Sequence, residues 1–221
     1  MAFAVLFGSV IPLLLSAVAP LSAQSSGTLV VTMNARFDRS VSSSVTKSVA
    51  RQEAAGIWHD YGVEILWDRS AVEPALHFDV VVASAKTERV PSNSFAVLGR
   101  TELDHEGEVV GPIRVNYEAI EEVLEFRETS SPLLREREMG RALGRVLAHE
   151  IGHALLGHPA FHDAEGLMRV SIPVDDLVSP DRRFLQLSDA SIDRLRRRVH
   201  CQEDVAAKLC TRAGTSASMK P

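Results

Sequence analysis

The period of the apolar positions changes several times along the chain, and each change predicts an element. Thr28 to Met33 is a run rich in β-formers and predicts a strand. Behind the polar stretch Ser40 to Ser44, apolar residues recur at Val45, Val49, Ala54, Ala55 and Trp58, a helical spacing that Gly62 brings to a stop. Val63 to Trp67 alternates as a second strand, and Phe78 to Ala83 is a short continuous apolar run suited to a buried one. Phe95 to Thr101 predicts a further strand. The turn-like Asp104-His105-Glu106-Gly107 then leads into Val109 to Tyr117, which Gly111-Pro112 interrupts. That pair predicts a hairpin whose imperfect strand lies at a sheet edge.

The second half is helical. Ala119 to Phe126 predicts a short helix. Ser131-Pro132 opens a long one from Leu133 to Leu156, with Met139, Leu143, Val146, Leu147, Ile151, Ala154 and Leu155 as one apolar stripe. A last helix is expected from Leu185 to Val199, with Ser188 near its start. Strand, helix, three or more strands, long helix and final helix make an α+β or mixed α/β domain in which the long helix packs on the sheet. No internal boundary appears, so residues 24–205 read as one catalytic-sized domain and residues 206–221 as a flexible polar tail.

The start of the chain stands apart. Ala2 to Val18 is almost wholly apolar, and Leu21-Ser22-Ala23 supplies small residues before a polar stretch. Residues 1–23 therefore read as a secretory signal peptide cut after Ala23, although no Lys or Arg precedes the apolar core. A retained anchor is the rival reading, and the prolines Pro12 and Pro20 weigh against it. The mature chain is expected outside the cytoplasm, in a periplasm or secreted, with no membrane contact. Its two cysteines, Cys201 and Cys210, then suggest a disulfide, which requires the helix to end between them.

Composition excludes more than it proves. The chain has 221 residues, 45% hydrophobic, and a net charge of −5, with no electrostatic footprint for nucleic acid. The one basic run, Arg194 to Arg198 around Leu195, is a solvated helix face. The chain is expected to be monomeric.

Chemistry concentrates in one place. His149 and His153 lie four apart on the long helix, so both imidazoles reach one ion from one face. Glu150 points about a quarter-turn away, beside the ion but off it, where it can accept a proton from water. A catalytic Zn2+ needs a third protein ligand and an open position. Gly157 is a natural C-cap, and Pro159 drives His158 towards extended backbone. The chain that follows gives His162 room to swing back, so His162 is the expected third ligand and His158 the runner-up. Asp189 and Asp193, at helical spacing further on, are the carboxylate alternative; solvent exposure is their plainer reading. A chance HExxH is disfavoured, because four of the eight histidines fall within residues 149–162 beside the glutamate and the helix-ending glycine. A closed structural zinc site is disfavoured too, because neither cysteine is near.

The stretch from Ala148-His149-Glu150-Ile151-Gly152-His153 to Gly157, with Phe161-His162-Asp163 and Gly166-Leu167-Met168, resembles the metzincin zinc metallopeptidases, in the style of the matrixin and adamalysin branches. Their HExxHxxGxxH is matched with Gly157 one residue late and His162 three residues late. The resemblance implies Zn2+ held by His149, His153 and His162, Glu150 as general base, and Met168 as the turn methionine. It also implies a metzincin-like fold, with a twisted mixed sheet of four to five strands, the active-site helix packed on it and a C-terminal helix. The implied activity is hydrolysis of a peptide or protein substrate lying along the edge strand within Phe95–Leu103. A secreted protein with a non-catalytic zinc site, or a partner-binding module, is the alternative; the intact Glu150 separates the enzyme from both.

Overall fold

The computed structural model describes residues 28–68, 76–85, 96–124, 131–157 and 162–199. The expected signal peptide, both cysteines, the expected flexible tail and His158 lie outside the described residues.

Five strands form one sheet in the order β2-β1-β3-β5-β4. They are β1 (Leu29–Phe37), β2 (Val63–Trp67), β3 (Leu76–Ala83), β4 (Gly99–Arg100) and β5 (Ile113–Asn116). β1 pairs in parallel with β2 and β3, and β3 with β5. Only β4 runs antiparallel, at the edge, on β5. The fold is therefore α+β with a mixed five-stranded sheet, as the order of apolar periods predicts. The predicted strand at Phe95–Thr101 is much shorter here. Its partner β5 is cut back by Gly111-Pro112, since proline brings no N–H to a ladder. The predicted hairpin is present: Leu103 bridges Val109, and the Asp104 carboxylate accepts from the N–H groups of Glu106 and Glu108.

Two helices do most of the covering. α1 (Ser44–His59) is capped by the Ser43 hydroxyl, which accepts from the Thr46 N–H, and it packs along α3 (Pro132–Leu156). Leu143, Leu147 and Ile151 of α3 are buried with Val31, Met33, Val80 and Val82 of the central strands in one core. Trp58 of α1 is fully buried and donates its indole N–H to the Ala148 carbonyl at 3.0 Å, which fixes α1 against the middle of the motif helix. α2 (Tyr117–Leu124) joins the sheet to α3.

The chain after α3 differs from the expectation. A short helix α4 (Val174–Val178) and a 3-10 turn (Arg183–Leu185) precede the last helix, α5, which is described over 189–199 and does not begin at Leu185. Ser188 sets that boundary by accepting the Ser191 N–H on its hydroxyl, as an N-cap. Among the described residues no helix is long and apolar enough to cross a membrane.

Candidate functional site

α3 ends where the sequence places its stop. Gly157 takes φ 63° and ψ 37° and returns its N–H to the His153 carbonyl, the left-handed cap that glycine adopts without steric cost. The last turns of α3 therefore face a loop that comes back towards them, and the imidazoles meet in the gap. His149 Nε2 and His153 Nε2 stand 3.1 Å apart. The His162 ring lies 5.5 Å from that of His149 and 5.0 Å from that of His153, centre to centre. One ligand atom from each of the three lies within 4.8 Å of the others.

This donor set fits a zinc ion. Two nitrogens each about 2.0–2.1 Å from one tetrahedral ion are roughly 3.3–3.4 Å apart, close to the spacing of the two helical imidazoles. Three imidazoles with an exposed side are the donors of an open site rather than a closed structural one. Burial lowers the pKa of His149, opposed by the Leu167 carbonyl, and burial also lowers that of His162, opposed by Asp163. Both rings are thus held in the neutral, ligating form. Asp189 and Asp193 are not part of this cluster; Asp193 faces Arg196 on α5 at 3.4 Å.

Further supports surround the cluster. His149 Nδ1 meets the Leu167 carbonyl oxygen at 2.7 Å. Leu167 belongs to the turn in which the Asp163 N–H donates to the Met168 carbonyl, at 2.9 Å. Met168 is fully buried, its thioether pressed on α3 at Gly152 and beside Trp58, so this methionine packs against the helix and presents no donor to the histidines. The Asp163 carboxylate accepts from the Ser191 hydroxyl of α5 at 2.7 Å. The Arg194 guanidinium, also on α5, donates to the Leu156 carbonyl at the end of α3.

Glu150 stays outside the three-ring cluster and packs its side chain against the edge strand. Its carboxylate lies 2.8 Å from the Thr101 hydroxyl, which is also 3.0 Å from the Glu150 backbone oxygen. Burial pushes the carboxyl up to about 7, with the Thr101 hydroxyl and the Arg100 charge pulling the other way. The carboxyl borders a cleft of about 330 Å³. The cleft is lined by residues 96–101, by His149, Glu150 and His153 of α3, and by His162 with residues 169–172. Leu98, Val146, Ile172 and Leu177 make part of the lining apolar. No sequence signal marked Thr101 or the Leu167 carbonyl: the first is one polar residue on a frayed edge, the second a backbone atom.

No protein-family model matches the chain, and no curated protein matches it in sequence. Among solved structures, the archaemetzincin of Methanopyrus kandleri is similar over 81% of this chain and 99% of that one, with a TM-score of 0.45 and 12% identity. At that distance the likeness bears on neither family nor activity.

Proposed function

We propose that the chain is an exported zinc-dependent hydrolase that cleaves peptide bonds. One observation carries the reading: three imidazoles converge within 4.8 Å in a cleft, and the glutamate next to the first of them borders the same cleft without joining the cluster. The sequence resemblance to the metzincins supports zinc and a peptide substrate, and the apolar leader over residues 1–23 supports export.

A zinc ion on His149, His153 and His162 would supply a more acidic water and polarise the scissile carbonyl. Glu150 takes a proton from the attacking water and hands it to the leaving amine. Its surroundings suit both halves of that task. The Thr101 hydroxyl donates to the carboxylate while it is charged, and can turn to the Glu150 carbonyl oxygen once the carboxyl holds the proton. An extended peptide would lie along β4, whose outer side faces the cleft, and pair with its backbone. Leu98, Val146, Ile172 and Leu177 would receive an apolar side chain.

The test is hydrolysis of casein and of quenched peptides by the wild type, with and without a chelator, beside Glu150→Ala. Chelator-sensitive cleavage that Glu150→Ala loses while keeping stoichiometric zinc is the expected result. Stoichiometric zinc with no cleavage by the wild type would leave the cluster a non-catalytic metal site and overturn the hydrolase reading.

A further inference from the structure

We propose that the edge strand β4 and the residue after it form a seat for the glutamate, with Thr101 and Gly99 as positioning residues that fix the Glu150 carboxylate beside the three histidines. This rests on the reading of Glu150 as general base.

Glu150 is almost fully buried, and a buried carboxylate is stable only where other groups hold it. Two features of β4 and its flank do so here. The Thr101 hydroxyl reaches one carboxylate oxygen, Oε2, at 2.8 Å and the carbonyl of the same residue at 3.0 Å. A single group thus spans the side chain and backbone of Glu150 and folds the side chain back over its own turn of α3. The other oxygen, Oε1, lies against Gly99. A Cβ at that position would fall 2.6 Å from Oε1 and 2.7 Å from Cγ, closer than real Cβ atoms come. Any side chain at 99 would therefore push the carboxylate out of its place. Thr101 pins Oε2 from one end of the short strand, and the bare Cα of Gly99 leaves room for Oε1 at the other.

The same strand carries the backbone edge along which the peptide would lie. The positions of substrate and base are then set by one element, and a displacement of β4 moves both together. Moving a catalytic group by about 1 Å can slow a reaction roughly a hundredfold, because the reacting atoms no longer meet in line.

Thr101→Val keeps the shape of the side chain and removes the hydroxyl; Thr101→Ser restores it. In the full-length zinc-loaded chain, Thr101→Val is expected to lower kcat roughly ten- to a hundredfold, a part of what a general base contributes, with KM and zinc content near wild type. Thr101→Ser should recover most of the loss, and Gly99→Ala should lower kcat with zinc retained. An unchanged kcat in Thr101→Val, or a Thr101→Ser as slow as Thr101→Val, would overturn the role of Thr101; an unchanged kcat in Gly99→Ala would overturn that of Gly99. A second readout needs no activity. In the chelated protein, Thr101→Val should lower the urea midpoint in the wild-type background more than in a Glu150→Ala background, where the carboxylate is gone. Equal shifts in both would mean that Thr101 supports only the strand, and would overturn the proposal even if the hydrolase reading had already failed.

Discussion

His149 Nδ1 stands 2.7 Å from the carbonyl oxygen of Leu167, so the first histidine of the helical pair is oriented from outside its own helix. A proton on Nδ1, donated to that carbonyl, leaves the Nε2 lone pair facing His153 and the cleft. The turn from Asp163 to Arg169 is therefore part of the site, although none of its side chains between Ala164 and Met168 joins the three rings.

Gly166 shows how that turn is fixed. Its φ is 79°, and a Cβ there would fall 1.9 Å from the Gln186 carbonyl oxygen. Gly166→Ala meets both a strained backbone region, about 1–2 kcal/mol, and a backbone atom that has no flexible end to move aside. The turn must shift, and the Leu167 carbonyl with it. Zinc affinity is expected to fall roughly 10–100-fold, the usual cost of losing an outer partner of a metal-bound histidine. Competition with a chromogenic chelator measures it. Unchanged affinity would show that the turn does not orient His149.

α5 reaches the third histidine in the same indirect way. Ser191 is fully buried, and its hydroxyl donates to the carboxylate of Asp163, next to His162. Ser191→Ala is expected to weaken zinc binding by about tenfold. It should cost only about 1 kcal/mol of folding stability, the ordinary value of one hydrogen bond. His162→Ala should lose more affinity than either outer variant. If Ser191→Ala instead lowers stability and leaves zinc affinity untouched, the bond serves the packing of α5 alone.

Arg145, one helical turn before His149 on α3, carries the largest expected loss of stability. Its side chain is wholly buried and bonds Glu53 of α1 at 2.9 Å. It also donates to the carbonyls of Asp176, Ser179 and Asp181, the segment that brings Leu177 to the cleft. Arg145→Met strips donors from three carbonyls and leaves Glu53 with Arg182 as its ionic partner. The expected cost is about 3–5 kcal/mol, read from urea unfolding. Lysine cannot restore it, because one ammonium does not span four acceptors. Arg182→Gln should cost at most about 1 kcal/mol, since that side chain is 40% exposed and water screens the pair. Similar losses for Arg145→Met and Arg182→Gln would refute this ranking.

What the sequence made legible follows from the same structural relationships. The strands and α3 were readable because their apolar periods answer to one buried face, and Val31, Met33, Val80, Val82, Leu143, Leu147 and Ile151 all turn inwards. The cluster was readable because His149 and His153 need only the pitch of a helix to meet, and Gly157 needs only its left-handed φ to end that helix. Arg145 was not readable, since a charged residue between Gly144 and Val146 looks like the solvated face of an amphipathic helix; its partners lie on α1 and beyond α4. Thr101 and Leu167 were hidden for a related reason. Each acts through a hydrogen bond set by tertiary packing, and neither belongs to a period or a spacing. Leu185 and Leu187 drew the expected start of α5 too early, because both are buried without being part of that helix.

Glu150 yields the sharpest pH test. Its carboxyl sits at about 7 in the folded chain against an ordinary 4.5, and burial is the leading cause. Between those values the folded protein retains a proton that the unfolded chain has released. Stability of the metal-free protein therefore falls as pH rises through that window and levels off above it. At about pH 8 the buried carboxylate costs on the order of 3–4 kcal/mol, by the worth of each pKa unit. Glu150→Gln removes the charge and keeps an oxygen for the Thr101 hydroxyl. Chelated Glu150→Gln should therefore be more stable than chelated wild type by about that amount at pH 8, and the gap should close as pH falls towards 4.5. Urea unfolding at the two pH values decides it. A gap of the same size at both would place its origin in packing rather than in charge, and the stored cost of an ionised Glu150 would have to be given up.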